Sequence, residues 1–232
     1  SISRKIDIRK SLKVANKFCV EYIQLRYKSR KDKHPPIIAI CDVSGSMSRY
    51  SRMLLHFMHV LTTLRNDVHT FLFGTRLTNV TRFLRFKDVD EALAATSSAV
   101  EDWSGGTRIG DCLKEFNFNW SRRVLGPGAI VLFITDGLDR GGGIGLSKQI
   151  KLIQKSSKRL IWLNPLLRYE KFAPKPTGVK AILPHVDEFR PIHSLESMDQ
   201  LVNALSETNL QSRFNMAPWL EKLSEIENAE CH

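Results

Sequence analysis

The chain has 232 residues and a mass of 26.5 kDa, long enough to bury a core without disulfide or metal staples. Apolar residues are 42% and charged residues 25%, which excludes wholesale disorder, and no apolar run reaches the ~18 residues of a membrane span. Charge is the unusual quantity: 35 Lys+Arg against 24 Asp+Glu leave +11 and a pI near 9.7, which points to an acidic partner and says nothing about fold.

The excess charge is uneven. Residues 1–36 hold eleven basic and three acidic side chains, whereas residues 196–232 hold two and seven. Helical spacing of Ile8, Leu12, Ala15 and Cys19 predicts a weak helix over 4–18, and alternation over 22–28 predicts an edge strand. A basic turn, Lys28 to Lys33, is closed by Pro35-Pro36. Ile37 to Cys41 is continuously apolar, as in a strand buried on both faces. A helix is expected from about Arg49 to Leu64, then a hairpin of 68–73 and 78–84. Asp88 caps a helix over 89–100, and a further helix covers about 108–123. Ala129 to Ile134 is a second buried strand, and Gly141-Gly142-Gly143 leads into a helix over 145–157. Leu160 to Leu163 is a third buried strand, and 164–180, with three prolines, reads as loop. Phe189 to Ile192 gives a last short strand, followed by a helix over 195–206 and an amphipathic tail helix around Trp219 and Leu223.

Buried strands alternating with amphipathic helices predict an α/β fold: a three-layer, open, mostly parallel sheet flanked by helices, with one antiparallel edge strand. Ligands of such sheets bind beyond the carboxyl ends of the strands. At those ends lie Asp42-Val43-Ser44-Gly45-Ser46-Met47 and Thr135-Asp136-Gly137, with Gly105-Gly106-Thr107 at a helix entry between them. Two carboxylates and three hydroxyls on one sheet edge suit a hard divalent cation that keeps several waters. Mg²⁺, Mn²⁺ and Ca²⁺ all accept such ligands.

The spacing Asp42-x-Ser44-x-Ser46, followed by Thr107 and Asp136, resembles the metal-ion-dependent adhesion site of von Willebrand factor A domains. The resemblance implies that the serines and the threonine reach the metal, that the aspartates act often through water, and that a partner Asp or Glu fills an open position. Tyr50-Ser-Arg-Met, Phe73-Gly-Thr-Arg-Leu, Asp102-Trp-Ser-Gly-Gly-Thr-Arg-Ile-Gly, Asp136-Gly-Leu-Asp-Arg-Gly, Trp162-Leu-Asn-Pro-Leu and Leu183-Pro-His-Val-Asp narrow it further. Over about residues 20–205 these segments resemble the CoxE-like proteins, associated with maturation of molybdenum-containing carbon monoxide dehydrogenase and related enzymes. That resemblance implies a cytoplasmic, non-enzymatic binding module working beside a MoxR-type AAA+ ATPase and a client metalloenzyme. It also implies a domain at 37–207, an acidic helical tail at 208–232, and a 1–36 segment that ends a truncated helical region. Leu138, where an aromatic is frequent, and the three glycines 141–143 depart from the family pattern.

Trp103, Asp139 and Arg140 are candidates for a partner-contacting rim. The other motifs are weak. The glycine loop lacks the G-K-[ST] of a P-loop. Ser44 has no nucleophile elbow and no identifiable base, which argues against a hydrolase. The cysteines Cys19, Cys41, Cys112 and Cys231 form no C-x-x-C pair and read as free thiols of a reducing compartment. The alternative function is an RNA-binding or ribonucleoprotein-associated von Willebrand A module that uses the basic surface. Sparse aromatics in the basic N-terminal segment speak against nucleic acid.

Overall fold

The computed structural model describes residues 35–100, 103, 106–169, 172–206 and 216–230. The expected helix over 4–18, the strand over 22–28 and the basic turn lie outside them, as do Cys19, Cys231, Asp102, Ser104 and Gly105.

The first strand, β1 (Ile37–Asp42), is buried along its whole length. A 3-10 turn over Gly45–Met47 leads into α1 (Ser48–Leu64). β2 (Val68–Phe73) pairs parallel with β1, and β3 (Leu77–Asn79) pairs antiparallel with β2. α2 (Val89–Ala99) starts where the Asp88 carboxylate accepts the Glu91 N–H at 2.8 Å. α3 (Ile109–Glu115) continues through a π turn over Phe116–Trp120 into α4 (Ser121–Val124). β4 (Ile130–Ile134), α5 (Leu146–Ser156) and β5 (Arg159–Asn164) follow. α6 (Thr177–Ile182), β6 (Glu188–Pro191), α7 (Leu195–Ser206) and α8 (Ala217–Glu230) complete the order.

The six strands lie in the order β3-β2-β1-β4-β5-β6, parallel except for β3. Alternate residues feed two cores, as the period of two demands. Ala39, Cys41, Leu132 and Leu163 face α1 and α7 residues such as Leu54, Met58 and Leu201. Ile40, Phe71, Val131 and Trp162 face α3, α5 and α6 residues such as Leu113, Ile150 and Val179. α8 joins this second core: Trp219 meets Phe189 and Phe172 edge-on at 5.2 and 5.8 Å, and Leu223 is buried. Among the described residues no helix is long and apolar enough to cross a membrane.

Three elements differ from expectation. The second hairpin strand stops at Asn79, because the Thr81 hydroxyl takes the Thr70 N–H at 3.0 Å in place of a ladder carbonyl. The helix expected over 108–123 contains the π turn, in which Phe116 and Trp120 both lie edge-on to Phe71 at 5.2 and 5.3 Å. The stretch 164–180 holds a 3-10 turn at Pro165–Arg168 as well as α6. Pro165 stands where a first-turn N–H would be unsatisfied anyway, and Asn164 Oδ1 accepts the next one, from Leu166, at 2.8 Å.

Candidate metal site at the sheet switch point

β1 lies between β2, its successor in sequence, and β4, to which the chain crosses over later. The strand order reverses there, and the crevice beyond the strand ends is the default ligand position. Asp42 ends β1, and Asp136 stands two residues beyond the end of β4. The register Cys41↔Ile134 brings Asp42 level with Thr135.

Asp42 is fully buried, and both of its oxygens are engaged. Oδ1 accepts the Ser44 N–H at 2.8 Å, which tightens the loop after β1. Oδ2 accepts the Thr135 hydroxyl at 2.8 Å, and that hydroxyl in turn accepts the Gly137 N–H at 3.1 Å. Asp136 is also buried; its Oδ1 accepts the Leu138 N–H at 3.0 Å. Asn164 supports it from β5 by donating to the Asp136 carbonyl at 3.3 Å. Burial holds the Asp42 carboxyl up at about 6, from 3.8, and the charge of Asp136 adds to the rise, while the bonds from Ser44 and Thr135 oppose it.

The hydroxyls converge above the aspartates. Ser44 Oγ and Ser46 Oγ are 3.2 Å apart. Both, with buried Thr107, line a cavity of about 380 Å³ that also touches Gly106, Leu138, Arg140 and Thr177. Asp42 and Asp136 lie behind this lining, bonded to the backbone of two of its members, Ser44 and Leu138. The donor set fits a hard cation. Two neighbouring carboxylates are buried with no cationic side chain bonded to them among the described residues, an arrangement a metal ion would relieve. Among the described residues no three His, Cys, Asp or Glu are grouped to hold a metal, so further ligands here would be hydroxyls and water.

Two of the rim candidates, Asp139 and Arg140, line this cavity, and Trp103 does not. Asp139 is spent internally: Oδ1 accepts the Ile109 N–H at 2.9 Å and Oδ2 the Gly143 N–H at 3.0 Å. It clamps the glycine loop to the first turn of α3. Arg140 is exposed on the cavity, its N–H donating to the Thr107 carbonyl at 3.0 Å. Trp103 lines a separate cavity of about 400 Å³ between α1 and α2, with Leu55, Leu93 and Ala94, and its indole N–H donates to the Ser97 carbonyl at 2.9 Å.

Thr135, which holds Asp42 in place, lies outside the five-residue spacing that marks the site in the sequence. The signal was available: a hydroxyl directly before the second aspartate, on the strand beside the first. Cys41 and Cys112 are buried free thiols, and burial pushes the Cys112 thiol up to about 12.

The family model for VWA domain containing CoxE-like protein matches residues 1–198. The chain belongs to this family. No curated protein matches it significantly by sequence. Among solved structures, the pilus adhesin SpaC from Lactobacillus rhamnosus GG superposes with a TM-score of 0.51 at 12% identity, over 78% of this chain and 30% of that one. Proximal thread matrix protein 1 from the mussel byssus gives 0.49 at 19% identity, over 75% and 47%; one of its structures has a zinc-occupied MIDAS motif. An aerotolerance-related membrane protein from Bacteroides fragilis NCTC 9343 gives 0.43 at 15% identity, over 82% and 99%. The chain thus spans about half of the mussel protein and under a third of the adhesin. The SpaC superposition shows the fold shared with this CoxE-like chain and nothing of its ligands.

Proposed function

We propose that this CoxE-like chain is a cation-dependent protein-docking module. Asp42, Ser44, Ser46, Thr107 and Asp136 hold a divalent ion, Mg²⁺ by preference, with Mn²⁺ or Ca²⁺ able to replace it. The observation that carries this reading is the pair of buried aspartates without a cationic partner, lying beneath three hydroxyls that share one cavity. When bound, the ion supplies an electrophilic coordination position for an Asp or Glu of a partner. The chain's own residues do the rest. Asp42 fixes the loop that carries both serines, Thr135 fixes Asp42, and Asp136 fixes the start of the opposite wall. Among the described residues no histidine lines the cavity to serve as a base, in keeping with binding rather than turnover.

Family membership supports the biological setting: a MoxR-type AAA+ ATPase as partner, and maturation of a molybdenum-containing enzyme of the carbon monoxide dehydrogenase type as the task. The test is retention of a MoxR-type ATPase from the same organism on the immobilised chain. Retention is expected in Mg²⁺ and lost in EDTA or with Asp42→Ala. Equal retention in all three conditions refutes metal-dependent docking.

A further inference from the structure

Among the described residues one cationic side chain, Arg140, lines the cavity above the aspartates, and its surroundings are arranged to present it. Arg140 extends over Gly106: a Cβ added there would lie 2.4–2.5 Å from its Nε, Cδ and Cζ. The guanidinium therefore occupies the space that the missing side chain leaves, one residue from Thr107. Its neighbour Asp139 also lines the cavity, but the Asp139 oxygens accept the backbone N–H groups of Ile109 and Gly143, and among the described residues it forms no ion pair with Arg140. No other carboxylate among the described residues pairs with it. Its own backbone is pinned by the bond to the Thr107 carbonyl, so the side chain starts from a fixed point on the cavity wall.

We propose that Arg140 is the specificity-determining residue of the metal site, binding the second oxygen of the acidic side chain whose first oxygen takes the metal. This rests on the metal-docking reading above and adds the chemistry by which a ligand is chosen. A planar guanidinium donates through several N–H groups, suiting a carboxylate. A carboxamide offers one acceptor and would turn its own NH₂ donors toward the guanidinium. Gly106 is the enabling position, since any larger residue displaces the guanidinium without removing its charge.

The test uses the full chain with Mn²⁺ as probe metal and the peptide acetyl-Gly-Glu-Gly-amide as probe ligand. Metal binding is read by electron paramagnetic resonance of free Mn²⁺. Peptide binding is read by the fall in water proton relaxation as the carboxylate displaces metal-bound water. Wild type should bind the Glu peptide and not its Gln counterpart. Arg140→Ala and Gly106→Ala should each weaken the Glu peptide about tenfold, the equivalent of one charge-assisted hydrogen bond, with Mn²⁺ affinity undiminished. Arg140→Lys should fall between them and wild type. Unchanged peptide affinity in Arg140→Ala, with Mn²⁺ still bound, overturns this inference alone. Failure of wild type to bind Mn²⁺ overturns the metal reading and this inference with it.

Discussion

Asp42→Asn isolates the electrostatic cost of the metal-free site. The carboxyl titrates near 6 in the folded chain against 3.8 ordinarily, so ionising it in the fold is disfavoured by about 3 kcal/mol, at ~1.4 kcal/mol per pH unit. Because the folded value lies above the unfolded one, the stability Asp42 contributes is fully present below pH 3.8 and is lost as pH rises through about 6. Asn has no such titration. It keeps one oxygen for the Ser44 N–H and turns an amide donor toward the Thr135 hydroxyl, a change that shifts stability by a constant. Urea melts of both proteins in EDTA, from pH 4 to 7.5, give the difference directly. The variant's stability relative to wild type should rise by about 2 kcal/mol between pH 4 and 6.5, most of the full span, and then level off. Adding Mg²⁺ at pH 7.5 should raise the wild-type midpoint and leave that of the variant in place. A difference that is flat with pH would mean that Asp42 carries no uncompensated charge, and the argument for a cation at this site would fail.

Other consequences are separable. Ser46→Ala removes an exposed hydroxyl of the cavity and should lower Mg²⁺ affinity about tenfold by calorimetry while leaving the metal-free melting temperature unchanged. Asp139→Asn leaves one of two half-buried N–H groups facing an amide donor; a loss of about 1 kcal/mol is expected, with faster hydrogen exchange at Ile109 and Gly143. Glu188 is fully buried between Arg159 and Arg190 at the β5–β6 edge, with Nε of each arginine donating to it at 2.8 and 2.7 Å. Glu188→Ala removes the buried carboxylate that the two arginines share and should cost about 3–5 kcal/mol in thermal or urea melts. A loss below ~1 kcal/mol would show that water solvates the arginines adequately.

The parallel sheet was legible because its strands are buried on both faces and read as unbroken apolar runs, Ile37 to Cys41 and Ile130 to Ile134 above all. The placement of the candidate site was legible for a related reason: strand ends fix where the next residues must lie, so Asp42 and Asp136 could be assigned to one edge. What stayed hidden depends on contacts distant in sequence. That Asp139 binds backbone while Arg140 stands exposed follows from the N–H groups of Ile109 and Gly143, and nothing local distinguishes the two. Trp103 likewise packs near α1 and α2, whose relation to the glycine loop no spacing reveals. Prolines in 164–180 suggested a loop because proline breaks helix interiors; here Pro165 opens a helical turn, and Pro176 immediately precedes another.

The junction of the metal-site loop with α6 has a mechanical consequence. Gly178, in the first turn of α6, is packed so tightly that a Cβ on it would come within 2.2 Å of the Gly137 carbonyl oxygen. Two backbones in such contact have no side chain between them to tilt or compress. Any inward shift of Gly137, the residue after Asp136, must therefore push α6 along with it. α6 belongs to the same core as Trp162 and Phe189, against which α8 rests. From Gly137 to α6 the contact is backbone on backbone, and from α6 to the base of the C-terminal helix it runs through the packed rings of Trp162, Phe189 and Trp219.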